Sequence, residues 1–532
     1  MTRFLTDGSG GFSCIREDGY FYVDKTKLIH QLVTGSGRAF FLSRPRRFGK
    51  TLLCSTLEAL FSGNRRLFGE IGGYPALAID SLDWDWRQYP VIKLSLNAEN
   101  YQEGIEALHR VIATELEFQA EKLGVELPRK GLIDQFKYLI KGARDTYRQN
   151  VVVVIDEYDK PLLETIDQPD VHEQCKQFLR GFYGVVKHLY DFIRFIFVTG
   201  VTKFSKVSLF SELNNLTNLS LDSRYAAICG ITQVELEENL ESEITAIAAS
   251  QGKDRKEYIG ELREFYNGYR FSKANTQVYN PFGLLMHFES GGEFQSYWYE
   301  TGSPCFLVRL VSRKIFDIPV LAGMRVSEKQ LRKYNVDTMA TEAVLYQAGY
   351  LTITDYDAAR REYVLKFPNE EIRSEYMDTL LSEHALVTTD NKDALIDKLP
   401  TALRRGDIDG AVDAMYAFLE SIPGGLPGVK ESIFETAIVV IFKALGVDCR
   451  SEVSTNRGRI DTVVETANYV YVFEFKVGRS SNAAMKQIND KGYANQWLGG
   501  SRRVFKVGVA FDREVRNIVE WQCEVVEAGE WG

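Results

Sequence analysis

Ser43-Arg44-Pro45-Arg46-Arg47-Phe48-Gly49-Lys50-Thr51 follows directly on the apolar run Ala39-Phe40-Phe41-Leu42. A buried strand that breaks into a loop ending Gly-Lys-Thr, then resumes as a helix over 52–61, builds an anion cradle. Loop N–H groups and the positive end of the helix dipole converge on one spot. In such a loop Lys50 reaches the β- and γ-phosphates of a nucleotide and Thr51 offers its hydroxyl to Mg²⁺, while Arg46, Arg47, Phe48 and Gly49 line the phosphates. The full pattern has Gly where Arg44 stands, and Gly-Lys-Thr also occurs as an ordinary turn before a helix. Which of Arg44, Arg46 and Arg47 contacts nucleotide is open on sequence grounds.

Val151-Val152-Val153-Val154-Ile155-Asp156-Glu157 supplies a second element. A continuous β-branched run reads as a strand buried on both faces, as at the centre of a parallel sheet. Ligands of open α/β sheets sit at the carboxyl ends of strands, where Asp156 and Glu157 fall. Asp156 is expected to hold Mg²⁺ from the tip of a strand neighbouring the loop strand, and Glu157 to orient or deprotonate the attacking water. A third run, Phe192 to Val198, ends in Thr199-Gly200. Thr199 is a candidate γ-phosphate sensor, or simply a residue finishing a strand before a Gly turn.

At 532 residues, 45% hydrophobic and 12% aromatic, the composition is that of well-packed globular material. A formal net charge of −9 excludes a global basic field, so any DNA or RNA contact must be a local patch. Seven scattered cysteines without Cys-x-x-Cys spacing, and six histidines without a cluster, point to neither a disulfide framework nor a zinc site. The N-terminal stretch has no signal-peptide apolar core, and no apolar run approaches the about 20 residues a bilayer needs. A cytoplasmic protein with no membrane contact is expected, and a homo-oligomer is compatible with the sequence.

Strand and helix patterns alternate over 39–42, 52–61, 91–96, 103–123, 151–155, 171–189 and 192–198, which is a doubly wound α/β arrangement. Before it, Tyr20 to Val23 reads as a hairpin-like piece, and Asp24-Lys25-Thr26 as the cap of a helix over 27–33. A charged helical region opens at Gly230-Ile231-Thr232. Within it a helix leads to two short strands, 350–354 and 362–366, a winged-helix-like unit of a shape that docks on nucleic acid or on protein, though a wing without basic excess favours a packing role. Gly424-Gly425-Leu426-Pro427-Gly428 is the clearest linker. These signals divide the chain into 1–230, 231–424 and 425–532.

The last segment holds a second chemical pattern. A helix over 431–445 carries Glu431 and Glu435 on one side. Strands over 459–464 and 469–476 follow, then a helix over 483–497, a strand over 504–511 and a helix over 513–521, together an αβββαβ-like unit. In Tyr469-Val470-Tyr471-Val472-Phe473-Glu474-Phe475-Lys476, Glu474 and Lys476 share one face and the phenylalanines the other. A hairpin that sets Asp461 beside Glu474 makes a carboxylate pair for Mg²⁺, with Mn²⁺ as an alternative at this site. Lys476 would position or deprotonate a water for attack on a phosphodiester. The plainer reading is a half-buried strand with a Glu–Lys pair on its solvated face.

Taken together, Tyr22-Val23-Asp24-Lys25-Thr26, Arg44 to Thr51, Ile155-Asp156-Glu157-Tyr158-Asp159, Val198-Thr199-Gly200, Tyr266-Asn267-Gly268-Tyr269-Arg270-Phe271, Tyr279-Asn280-Pro281-Phe282, Gly458 to Asp461 and Phe473 to Lys476 carry a resemblance. Over nearly its whole length the chain resembles the bacterial family that joins an AAA-ATPase-like domain to a C-terminal PD-(D/E)XK nuclease-superfamily domain. The resemblance implies a P-loop NTPase parallel sheet, a central helical region and a restriction-endonuclease-like domain. It implies ATP at Lys50 and Thr51, with Asp156 and Glu157 as the acidic pair. Metal and water would be held by Asp461, Glu474 and Lys476, with Glu431 completing the metal site and Glu435 its substitute. Two functions fit: an ATP-controlled nuclease, in defence or mobile-element control, or an ATP-dependent switch whose nuclease-like domain binds a partner without cleaving. A small-molecule kinase is a weaker third. Arg180, Arg194 and Arg270 are all arginine-finger candidates.

Overall fold

Five parallel strands, β1 (Ala39–Ser43), β2 (Val91–Ser95), β3 (Val151–Asp156), β4 (Ile193–Gly200) and β5 (Thr217–Asn218), form a sheet in the order β2-β3-β4-β1-β5. The computed structural model describes residues 10–97, 100–202, 216–298, 324–332, 341–383, 398–421, 448–455, 458–497, 500–512, 514–515 and 517–526. Every residue of β3 is buried, as its unbroken apolar run requires of a strand covered on both faces. The helices Lys50–Phe61, Ile105–Leu123, Leu132–Tyr147 and Pro169–His188 belong to this layer. The helix Leu132–Tyr147 was not anticipated. The acid-bearing strand does not neighbour the loop strand, because β4 lies between β1 and β3. Nor do residues 20–23 form a hairpin: a helix, Phe12–Glu17, precedes them, and residues 21–25 carry no strand.

Residues 20–26 instead tie elements together. Asp24 accepts from the N–H groups of Thr26 and Ala78, and the Thr26 hydroxyl accepts from that of Ile79. Lys25 donates at 2.6 Å to Glu235, which also accepts from the Thr232 N–H and so completes a capping box on the helix Gln233–Ser250. Behind that helix pack Arg255–Tyr266 and Pro281–Glu289, around a core of Leu236, Ile244, Tyr258, Leu262, Tyr266, Leu284 and Phe288. Three short strands, β6 (Ile231–Thr232), β7 (Tyr269–Arg270) and β8 (Gln277–Tyr279), close this part in the order β6-β8-β7. The expected helix and hairpin are present as Thr341–Ala348 with β10 (Thr352–Asp357) and β11 (Glu362–Lys366). A further strand, β9 (Met324–Ser327), pairs with β11.

By contacts the chain divides into two compact units, one made of the described residues of 1–309 and 325–372, the other of those of 310–324 and 373–532. The second holds a sheet of β12 (Asp448–Thr455), β13 (Gly458–Glu465), β14 (Tyr469–Val477), β15 (Arg503–Asp512) and β16 (Asn517–Val526), in sequence order. Only the β14–β15 pair is parallel, and the helix Ser481–Lys491 makes that crossover. Tyr471, Phe473 and Phe475 face a core shared with the helix Ile408–Ser421, while Val470 and Val472 face the crossover helix. The expected helix over 513–521 is a correction: residues from Asn517 form β16, antiparallel to β15. Trp521 and Cys523 there pack against the core while Gln522 and Glu524 are exposed, a period of two. The crossover helix stops at Lys491, short of Trp497, because Gly492 takes a left-handed turn.

Candidate functional sites

The loop after β1 turns through two left-handed residues, Arg47 (φ 61) and Gly49 (φ 85). Such an alternation turns successive N–H groups toward one concave side. From Gly49 the chain enters the helix Lys50–Phe61, so that concavity sits on a helix N-terminus. Lys50 is buried, and its ammonium donates at 2.8 Å to the loop's own Pro45 carbonyl. Burial lowers its pKa, opposed by Glu157, Asp156 and Asp159. The helix opened by Lys50 packs against β3. Burial pushes the Asp156 carboxyl toward its protonated form, while the nearby Thr51 and Lys50 side chains pull the other way. Loop and acids therefore meet across the width of β4. Glu157 follows in a left-handed conformation (φ 51) that costs a non-glycine residue about 1 kcal/mol.

What holds that turn is Asp159, to which sequence reasoning assigned no role. Its buried carboxylate accepts from the N–H groups of Val201 and Thr202 and from the Thr202 hydroxyl at 2.6 Å. The turn after β3 is thereby stapled to the exit of β4, where Gly200 leaves no room for a Cβ against Asp159. The one signal for it was its place three residues after Asp156. Thr199, one residue before that exit, is fully buried and donates to the Leu42 carbonyl, between strands rather than into the loop.

The remaining loop residues are clamped from outside. Arg44 is buried, donates to the carbonyls of Ser43, Ser220 and Tyr225, and lies 4.2 Å over the Phe271 ring. It braces the loop's first turn where other such loops have Gly. Phe48 packs edge-on against Tyr269 and Phe271. The Arg46 carbonyl accepts from the Trp298 indole, and Arg47 lies 4.8 Å over Phe282. Gly268 (φ 97) approaches the Pro368 carbonyl so closely that a Cβ would overlap it. Arg270 donates to the carbonyls of Ser272, Lys273, Ala274 and Thr354, so this finger candidate is spent on backbone. Arg194 is partly buried and donates to Val33; Arg180 is exposed.

In the second unit Asp461 accepts from the Phe475 N–H at 2.8 Å, which fixes it beside Glu474 on the crossover-helix face. Glu474 is fully buried; one oxygen accepts from Lys476 at 2.7 Å and the other has no hydrogen-bond partner. Burial, with the Asp461 charge beside it, raises its pKa to about 7, against the pull of Lys476. An orphaned oxygen on a buried carboxylate next to a second carboxylate is a donor set suited to a hard divalent cation. Glu431 and Glu435 lie outside the described residues, as does the linker at 424–428. Among the described residues no group of three or more His, Cys, Asp or Glu side chains is placed to hold a metal ion, and no helix is long and apolar enough to cross a membrane.

A parallel sheet with a glycine-lysine-threonine loop facing strand-end acids, followed by a small mixed sheet with an Asp…Glu-x-Lys set, is the architecture of an ATPase-like domain joined to a nuclease-superfamily domain. The family described as Predicted AAA-ATPase matches residues 8–210, and the PD-(D/E)XK nuclease superfamily matches 429–521. An "Uncharacterized protein in vnfD 5'region" of Azotobacter chroococcum mcd 1 is 36% identical over 531 residues, 98% of each chain. The chain belongs to this family of predicted AAA-ATPases with a C-terminal PD-(D/E)XK nuclease-superfamily domain.

Proposed function

We propose that the chain binds and hydrolyses ATP at the loop after β1 and cleaves nucleic acid, under control of that ATPase, at the Asp461–Glu474–Lys476 set. The observation that carries the reading is that the helix opened by Lys50 packs against β3, so that loop and strand-end acids come together across the intervening β4. Lys50 would leave the Pro45 carbonyl for phosphate oxygens, and Arg46, Arg47, Phe48 and Gly49 would line them. Thr51 and Asp156 would hold Mg²⁺. Glu157 would orient the attacking water, and Thr199 would act on γ-phosphate only by giving up Leu42. In the second unit Asp461 and Glu474, with Glu431, would hold Mg²⁺ or Mn²⁺, which polarises a phosphodiester when bound. Lys476 would hold or take a proton at the attacking water. The parts 1–230, 231–424 and 425–532 serve as ATPase, lid and nuclease in this reading, a cytoplasmic one in defence or mobile-element control.

The purified chain with Mn²⁺ and ATP should cut DNA or RNA, and Lys476→Ala should not. If Lys476→Ala cuts as fast as the parent, the nuclease reading is wrong. One observation favours a second reading, a non-cleaving switch that binds a partner: the Lys476 ammonium is paired with Glu474, and no third acid joins the pair among the described residues. In that case Lys50→Ala changes partner association or oligomeric state and no cleavage is detected.

A further inference from the structure

The helix Pro281–Glu289 buries Leu284, Leu285 and Phe288 in the core behind it, but Phe282 stays outside that cluster and only half-buried. Asn280 caps this helix through the Gly283 N–H, and Pro281 presets its first turn, so Phe282 stands on a rigid mount. Over its face, 4.8 Å from the ring centroid, lies the guanidinium of Arg47, an exposed residue of the anion-binding loop held left-handed at φ 61. A planar, delocalised cation on an aromatic face fills the space a flat heteroaromatic ring would take. The phosphate-binding turn and the aromatic face are thus joined through one side chain, three residues before Lys50.

We infer that Phe282 is the platform on which the nucleotide's purine base stacks, and that Arg47 holds that place in the absence of nucleotide. On binding, the base takes the ring face and the guanidinium moves toward the phosphates, where its charge has an anionic partner. Phe282 is then a determinant of affinity for nucleoside triphosphates over bare polyphosphate. The inference rests on the nucleotide reading above, and affinities for two ligands separate them.

The probes are MgATP and Mg-tripolyphosphate, titrated calorimetrically into the full chain. Stacking is worth about 1–3 kcal/mol per base, so Phe282→Ala should weaken MgATP by roughly tenfold or more and leave tripolyphosphate unchanged. Phe282→Leu keeps apolar bulk without a flat ring and should lose as much. Phe282→Trp should restore the affinity, which a merely structural role for the ring would not predict. Lys50→Ala should weaken both ligands. Equal losses of MgATP and tripolyphosphate in Phe282→Leu, or no loss of either, overturn the platform. A parent chain that binds tripolyphosphate as tightly as MgATP also overturns it while leaving the phosphate site standing. A parent chain that binds neither overturns the nucleotide reading and the platform together.

Discussion

Glu474 shows what one residue carries. Its folded pKa of about 7 lies above the 4.5 of an exposed glutamate. Between those values the folded chain keeps a proton that the unfolded chain has released. This group's contribution to metal-free stability is therefore fully present below about pH 4.5 and is lost as pH rises through about 7. Glu474→Gln removes that loss. In chelator, the variant should melt like the parent at pH 4.5 and above it at pH 8, by an equivalent of about 1–3 kcal/mol. The same difference at both pH values would show that no titration of Glu474 is involved. Added Mn²⁺ should stabilise the parent at pH 8 and not the glutamine variant. The strand alternation of Phe473 to Lys476 makes the shared face of Glu474 and Lys476 legible in sequence. It does not show that Glu474 is fully buried, because its cover comes from the crossover helix and from β15, where Gly508 sits opposite it.

At the scale of elements, several of the motifs that carry the resemblance act as joints. Glu235 both caps the helix Gln233–Ser250 and neutralises the nearly buried Lys25. Thr232→Ala should cost about 1 kcal/mol, the loss of one cap. Glu235→Ala should cost about 3–5 kcal/mol, because it also leaves an ammonium without its partner. Thermal melts of the two variants check this, and equal losses would mean that Lys25 finds another acceptor. Gly268→Ala should be worse than an ordinary surface change, since the backbone is left-handed there and Pro368 blocks the Cβ. A loss of about 2–4 kcal/mol is expected, and a melt within a degree of the parent would refute the clash. The error at 513–521 is also an element-scale matter. The charged, apolar-dotted stretch satisfies a helical pattern over its first half, but Trp521-Gln522-Cys523-Glu524-Val525 alternates, and pairing with β15 decides for strand.

For the whole molecule, the proposed ATP-site residues lie in one compact unit and the Asp461–Glu474–Lys476 set in the other. Lys50→Ala should abolish ATP hydrolysis and any effect of ATP on cleavage while leaving basal cleavage detectable. Lys476→Ala should abolish cleavage and leave ATP turnover within about twofold of the parent. Loss of both activities in either variant would show that the units act as one site. With a net charge of −9, nucleic-acid binding must come from a local patch, so cleavage should fall steeply as salt rises from 50 to 200 mM.

From the residues alone came the Gly-Lys-Thr turn between strand and helix, the buried acid-tipped strand and the Asp…Glu-x-Lys set. Each is a local pattern, in which backbone geometry and side-chain period act over a few neighbouring positions. Folding in three dimensions decided that β4 slips between β1 and β3, that Asp159 staples the acid turn to the exit of β4, and that Phe48, Trp298 and Phe282 close around the loop. Those partners lie tens to hundreds of positions apart along the chain. Their meeting is set by how whole layers bury their apolar faces, which no short window of sequence encodes.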